Sequence, residues 1–258
     1  MSTPLLQPHD NSPPLVVTRG DRRSLEFTPG DMQSDMSLSR PTALVLAYTR
    51  AMMGFVLFVP RPRHIVMVGL GGGSLAKFCY RVFPHARITV IELRADVIAL
   101  RTQFCIPPDN ARFCVVQADA VDYLAAMPAS ADVLMLDGFD RHGLPPALGS
   151  ARFYATCRDA LVDGGVLVTN IFTYDPQWQA MLARLDAAFD AQVCWFDDIA
   201  GNNHVIYALH RATRQAQCRQ HRIRRRHGRG NGWLHRTMAH MLVTWLALRK
   251  VAVAPQES

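Results

Sequence analysis

Between residues 63 and 210, short apolar runs alternate with stretches of helical periodicity. The runs fall at 65–69, 88–93, 113–117, 133–137, 165–171, 191–196 and 204–209, and each is predicted as a β-strand. Some are apolar at every position, as in Ile65 to Val68 and Val133 to Leu136. Such strands must be covered on both faces. The alternation therefore predicts an α/β domain with a doubly wound, mostly parallel seven-stranded sheet between layers of helices. The last two runs are close enough to pair antiparallel. Upstream, Pro14–Thr18 and Ser24–Thr28 read as strands of a hairpin around Gly20 and Asp21. A helix is predicted over 41–58, with Pro41 near its first turn. Residues 1–13 are polar and proline-bearing, and disorder is expected there. The predicted organisation is a disordered N-terminus (1–13), a β-hairpin plus helix (14–62), the α/β domain (63–210), and a basic linker with an amphipathic helix (211–258).

In an open parallel sheet, ligands sit beyond the carboxyl ends of the strands, so the residues that close each strand carry the chemistry. The first strand closes on Gly69, Gly71 and Gly73 and passes straight into a helical pattern. Glycines let the backbone turn tightly and approach a ligand closely. The second strand ends at Glu92, where a carboxylate can accept both hydroxyls of a ribose. The third leads into Asp119 and Ala120, and the fourth runs directly into Asp137, Gly138, Phe139 and Asp140. Strand, glycine loop, helix, strand and acid in that order point to a nucleoside site. Asp119 has two readings, a contact to adenine or an N-cap of the helix that follows. Asp137 closes an apolar strand, where an acid needs a partner, and a positioned base or a cation ligand is a natural role.

Composition narrows the class. Hydrophobic residues make up 49% and charged residues 19%, which is ordinary for a globular enzyme. The start Met1-Ser-Thr-Pro lacks a basic stretch and an apolar core, so no secretory signal is expected. The six cysteines are scattered without a C-x-x-C pair, which argues for reduced thiols in a cytoplasmic protein and against a metal site. The net charge of +7 is uneven: residues 211–258 hold 11 of the 28 Lys and Arg and 1 of the 21 acids. The remaining 17 basic and 20 acidic groups leave residues 1–210 at −3, which suits a cationic ligand better than a polyanion.

These residues together resemble the spermidine synthase (polyamine aminopropyltransferase) family, which is built on the Rossmann-like class I S-adenosylmethionine methyltransferase fold. The resemblance covers roughly residues 14–210. It runs through Gly30 to Gln33, Tyr48, the glycine loop, Glu92, Gln117 to Ala120, Asp137 with Asp140, Phe153 with Tyr154, and Asp163 to Leu167. It implies an aminopropyl transfer from decarboxylated S-adenosylmethionine to a small amine acceptor, without a metal. By the same resemblance, Glu92 would hold the ribose, Asp119 would face the adenine amino group, and Gln33 would help close over the nucleoside. Asp137 would be the catalytic acid/base, while Asp140 and Tyr48 would line the acceptor side. A homodimer in the cytoplasm is expected.

Several positions depart from the family pattern. Gly72 stands where the family loop carries an aspartate that grips the aminopropyl ammonium. The family's Y-H-E or Y-Q-E is Tyr48-Thr49-Arg50, Arg141 replaces a proline after Asp140, and a glutamine ending the fifth strand is Asn170. The tyrosine- and proline-rich segment before the closing strands is replaced by residues 197–203. Three functions therefore stay in view: aminopropyl transfer, methyl transfer from intact S-adenosylmethionine on the same fold, and a non-catalytic relative. For the tail, Arg211 to Arg229 reads as a solvated linker. Leu234, Met238, Met241, Leu242, Trp245 and Leu248 near helical spacing suggest a helix packed on its own domain or a dimer mate. Contact with an anionic surface is the alternative. No base-reading motif accompanies the arginines, so no specific nucleic acid is expected. His142 reads as an exposed loop residue and His204 as a structural one, and Tyr48 either lines the acceptor cavity or packs its helix.

Overall fold

The computed structural model describes residues 13–30, 32–138, 143–195, 202–224 and 232–248. Strands β1 (Leu15–Arg19), β2 (Arg22–Glu26) and β3 (Met32–Ser37) form a small antiparallel sheet in that order. Helix α1 (Ala47–Met52) runs into a 3-10 turn (Met53–Leu57). Then follow β4 (His64–Val68), α2 (Ser74–Val82), β5 (Arg87–Glu92), α3 (Ala95–Ala99), β6 (Phe113–Gln117), α4 (Ala120–Ala126) and β7 (Ala131–Leu136). The domain closes with α5 (Ala151–Ala160), β8 (Leu161–Phe172), α6 (Trp178–Ala188), β9 (Val193–Trp195) and β10 (Asn203–Leu209). Two further helices are α7 (Arg214–Arg224) and α8 (Gly232–Leu248).

The large sheet has seven strands in the order β6-β5-β4-β7-β8-β10-β9, and β10 pairs antiparallel with both β8 and β9. Side chains alternate across it. Ile65, Met67, Val90, Val133, Met135 and Val168 face one core, and Val66, Val68, Ile91, Leu134, Leu136 and Leu167 face the other. A strand whose odd and even positions both enter a core has to be apolar throughout. That is why all five residues of β4 are buried. The expected α/β architecture and the seven predicted runs are thus observed, with strand limits shifted by a few residues.

Three local expectations fail. The N-terminal segment has a third strand, β3, whose Ser34, Asp35 and Ser37 are buried. An apolar-polar pattern does not mark it, because its buried Asp35 and Ser37 are satisfied by β2 and the hairpin turn. Arg22 binds Asp35, and Ser37 Oγ donates to Asp21 at 2.7 Å. The helix predicted over 41–58 starts only at Ala47 and ends as a 3-10 turn. Arg50 turns back to donate to the carbonyls of Leu44 and Val45 at 2.9 and 2.5 Å, taking acceptors that a longer helix would use itself. The basic stretch after Arg211, expected to be a solvated linker, forms α7 over 214–224. Ala216 and Gln220 on α7 are buried, and Gln220 Nε2 donates to the Val193 carbonyl of β9 at 3.1 Å.

Helix α8 lies where a tail helix was expected, packed on α1 and the 3-10 turn of the same chain. The face it buries is Ala239, Val243 and Leu246. Most of the expected apolar stripe points outward instead, with Met238, Met241, Trp245 and Leu248 exposed at 42%, 56%, 54% and 74%. The smaller side chains pack because they let the helix approach α1 closely. Among the described residues, no helix is long and apolar enough to cross a membrane.

This packing predicts opposite outcomes for neighbouring residues of α8. Leu246→Ala should destabilise the fold by about 2 kcal/mol or more. Trp245→Ala, although it removes more side chain, should change stability by less than about 0.5 kcal/mol. Urea unfolding of the two variants checks this, and a larger loss for Trp245→Ala would reverse the assignment of the buried face.

Candidate active site

The carboxyl ends of β4, β5, β6, β7 and β8 surround one cavity of ≈ 1060 Å³, roofed by β3, α1 and the end of β2. Gly69, Gly71, Glu92, Asp119, Ala120, Asp137, Gln33 and Tyr48 all line it, although they come from six separate stretches of chain. Asp140 lies outside the described residues. Gly73 does not stand at the wall. It is the residue before α2, in left-handed conformation, and packs against Ile106 behind the loop.

The glycine loop and Glu92 form one hydrogen-bonded unit. Gly69 N donates to the Ile91 carbonyl at 2.9 Å, continuing the β4–β5 ladder past the end of the strand. Leu70 N then donates to Glu92 Oε2 at 2.9 Å, and Arg94 N donates to Oε1 at 2.8 Å. Burial raises the Glu92 carboxyl, and these backbone donors work in the opposite direction. Each oxygen keeps a further lone pair for a ligand. Arg94 pairs with Asp96 at 2.6 Å and covers the Phe27 ring at 4.6 Å, which ties this end of the cavity to the small N-terminal sheet. Asp119 fulfils the capping reading: it precedes α4 and Oδ1 accepts from Val121 N at 2.7 Å. It lines the cavity as well, so capping orients the carboxyl at the wall rather than competing with a ligand role.

Asp137 sits at the end of β7, its backbone N donating to the Val68 carbonyl at 3.0 Å. A Cβ at Gly69, whose φ is +92°, would lie 2.5 Å from the Asp137 carbonyl oxygen. Glycine is therefore required where β4 and β7 deliver the loop and the acid to the same point. Asn170 Nδ2 donates to Asp137 Oδ1 at 3.0 Å, and the Tyr48 hydroxyl bonds the same carboxyl group. Loss of water raises the Asp137 carboxyl to about 7, while the Asn170 and Tyr48 donors hold it down. Tyr48 is pushed well above its ordinary value by burial and by the Asp137 charge, so it stays a donor. A carboxyl poised near neutral pH at the wall of a cavity is equipped to accept and return a proton.

Other wall residues were not singled out from sequence. Ser34 and Asp35 come from the unexpected strand β3, and Asp35 is engaged by Arg22. Phe172, Tyr174, Asn202 and Asn203 join the wall at the ends of β8 and β10, with the Phe172 and Tyr174 rings stacked at 5.0 Å. Asn170 near the end of β8 and Asn203 at the start of β10 are both legible as amides, but only pairing of those strands brings them together. Behind the loop, buried Lys77 donates to the Phe104 carbonyl at 2.6 Å, and burial lowers its ammonium to about 8.

The space around Gly72 explains why an aspartate is absent there. A Cβ at Gly72 would lie 2.6 Å from Ser34 Oγ and 2.9 Å from the Phe104 ring, both closer than real contacts. Gly72→Asp should therefore destabilise the protein by about 1–3 kcal/mol through overpacking. Adding Phe104→Ala should recover less stability than it costs elsewhere, but the two effects should be less than additive. Thermal unfolding of the single and double variants measures this, and full additivity would remove the proposed clash.

Comparison with known proteins agrees with this geometry. The spermine/spermidine synthase domain matches residues 45–188. A polyamine aminopropyltransferase of Neisseria meningitidis serogroup A is 37% identical over 180 residues, 69% of this chain and 68% of that protein. One from Chromobacterium violaceum is 36% identical over 195 residues, 75% of each. In fold, the chain is similar to a probable spermidine synthase from Corynebacterium glutamicum, with TM-score 0.68, 23% identity and coverage of 80% and 81%. Human methyltransferase-like protein 13, in complex with SAH, gives TM-score 0.57 and 25% identity over 70% of this chain and 91% of that one. Sequence and architecture thus lead to one assignment: the chain belongs to the spermine/spermidine synthase family.

Proposed function

We propose that this chain transfers an aminopropyl group from decarboxylated S-adenosylmethionine to a small amine, a step of polyamine synthesis carried out in the cytoplasm. The observation that supports it most is Asp137, held by Tyr48 and Asn170 beside the glycine loop and close to neutral in its titration. An amine reaches the site mainly as an ammonium, which has no lone pair. Asp137 takes its proton, the freed nitrogen bonds the propyl carbon beside the sulfonium, and the carbon–sulfur bond breaks with its electron pair on sulfur. Methylthioadenosine leaves as a neutral product. In-line placement of nitrogen and carbon does the rest of the work.

In this reading Glu92 accepts the ribose hydroxyls, Asp119 faces the adenine amino group, and Gly69, Gly71 and Ala120 form the nucleoside wall. Gln33 closes over the nucleoside, and Tyr48 and Asp140 belong to the acceptor side. Relatives named as polyamine aminopropyltransferases support it. Methyl transfer is the second reading, supported by the methyltransferase-like neighbour and by the loop glycine in place of an acid. Thermal-shift titration with S-adenosylmethionine, its decarboxylated form and methylthioadenosine separates the two by mass action on the folded protein. Stronger stabilisation by intact S-adenosylmethionine would favour methyl transfer. Glu92→Ala should abolish most of the shift with every nucleoside.

The base role carries a pH signature. Only ionised Asp137 accepts a proton, so kcat/KM should rise through about pH 7 and fall about tenfold per unit below it. Asp137→Asn should lower kcat by about 10²–10⁴ above that midpoint, and the deficit should shrink below it, where wild type also lacks the ionised base. Its folded-state value is raised, so the native state binds more protons than the unfolded chain between about pH 4 and pH 7. Wild type should therefore lose up to about 4 kcal/mol relative to Asp137→Asn as the pH rises through that window. Denaturant unfolding at pH 4.5 and pH 8 (about the two ends of the window) tests it; parallel curves for the two proteins would refute the buried titration.

A further inference from the structure

Asp137 is oriented by a chain of amides that runs along the cavity wall. Asn170, 2% exposed at the end of β8, donates through Nδ2 to Asp137 Oδ1 at 3.0 Å. Its own Oδ1 accepts from Asn203 Nδ2 at 2.9 Å. The sheet register builds this contact. In the antiparallel β8–β10 pair, Asn203 is opposite Phe172 and Val205 is opposite Asn170, so the two asparagines are diagonal neighbours on one face.

An amide has a donor end and an acceptor end, and the two are almost the same shape. Turned by half a rotation, Asn170 would present a carbonyl oxygen to the Asp137 carboxylate. That arrangement repels the ionised acid and accepts a bond from the protonated one, so it favours the protonated form. Asn203 adds a second constraint. Its N–H bonds the Asn170 oxygen, so Asn170 can invert only if Asn203 inverts with it or gives up that bond.

We propose that Asn203 is a positioning residue for Asp137, acting through Asn170 to keep an amide donor, rather than an amide acceptor, against the catalytic carboxylate. The proposal rests on the aminopropyl-transfer reading for its kinetic consequence, but the orientation itself does not. Tyr48 from α1 is the other titratable group on this carboxyl, and burial together with the Asp137 charge keeps it protonated. From β8 and β10 the facing groups are the neutral amides Asn170 and Asn203. Asp140, in the stretch after β7, lies outside the described residues.

The test follows the Asp137 carboxyl directly in ligand-free protein, by NMR with carboxyl-labelled aspartate and Asp137→Asn to assign the signal. Asn203→Leu removes the donor at nearly constant shape, and Asn203→Asp replaces it with an acceptor that selects the inverted amide. Both should move the Asp137 midpoint up, by about one unit or more. The acid limb of kcat/KM should move with it, giving about tenfold loss below the midpoint and recovery at high pH. In an Asn170→Leu background, where no amide remains to be oriented, Asn203→Leu should cause no further shift. An unchanged midpoint in both single variants, or an added shift in that background, overturns the proposal. A moved NMR midpoint in a protein without aminopropyl transfer would instead sink the functional reading and leave the amide orientation standing.

Discussion

The carboxyl of Asp137 follows four consecutive buried residues of β7 and faces a cavity rather than open water, so it must be held by hydrogen bonds or remain protonated. Much of the surrounding structure answers that requirement. Tyr48 reaches it from α1, Asn170 from β8, and Gly69 clears room where β4 passes beside it. The donors offset burial only in part, which leaves the group near neutral and able to exchange a proton. Full satisfaction would have made an inert salt-bridge-like acid; no satisfaction would have made a permanently neutral one.

The Glu92 side of the cavity obeys a different rule. Glu92 bonds two backbone N–H groups, from Leu70 and Arg94, so the loop and the acid hold each other in place. The small N-terminal sheet then covers them through Phe27 over Arg94 and through Ser34 against Gly72. That close cover leaves no room for a Cβ at Gly72 unless Ser34 or Phe104 shifts, and the Phe104 turn is itself anchored by buried Lys77.

The tail separates charge from packing. Its arginines make the whole chain basic, yet α7 is held by buried Gln220 and Ala216, and α8 by Ala239, Val243 and Leu246. The larger apolar side chains of α8 remain outside. Helical spacing alone identifies stripes, and α8 has two; only the shape of the surface made by α1 and the 3-10 turn decides which of them is buried.

What the sequence by itself determined was the layered sheet and most of the residues that line the cavity. Strands apolar at every position can only be buried on both faces, and in such a sheet the residues closing each strand converge on one rim. Glu92, Asp119 and Asp137 were legible for that reason. Strand β3 was not, because its buried Asp35 and Ser37 are satisfied by hydrogen bonds with β2 and its turn, and no periodicity records such partners. Nor were the shortened α1, the inward face of α8, or the Asn203–Asn170–Asp137 chain. Each of these depends on which groups distant in sequence become neighbours, and hydrogen bonding and close packing act on distances that only the tertiary structure sets.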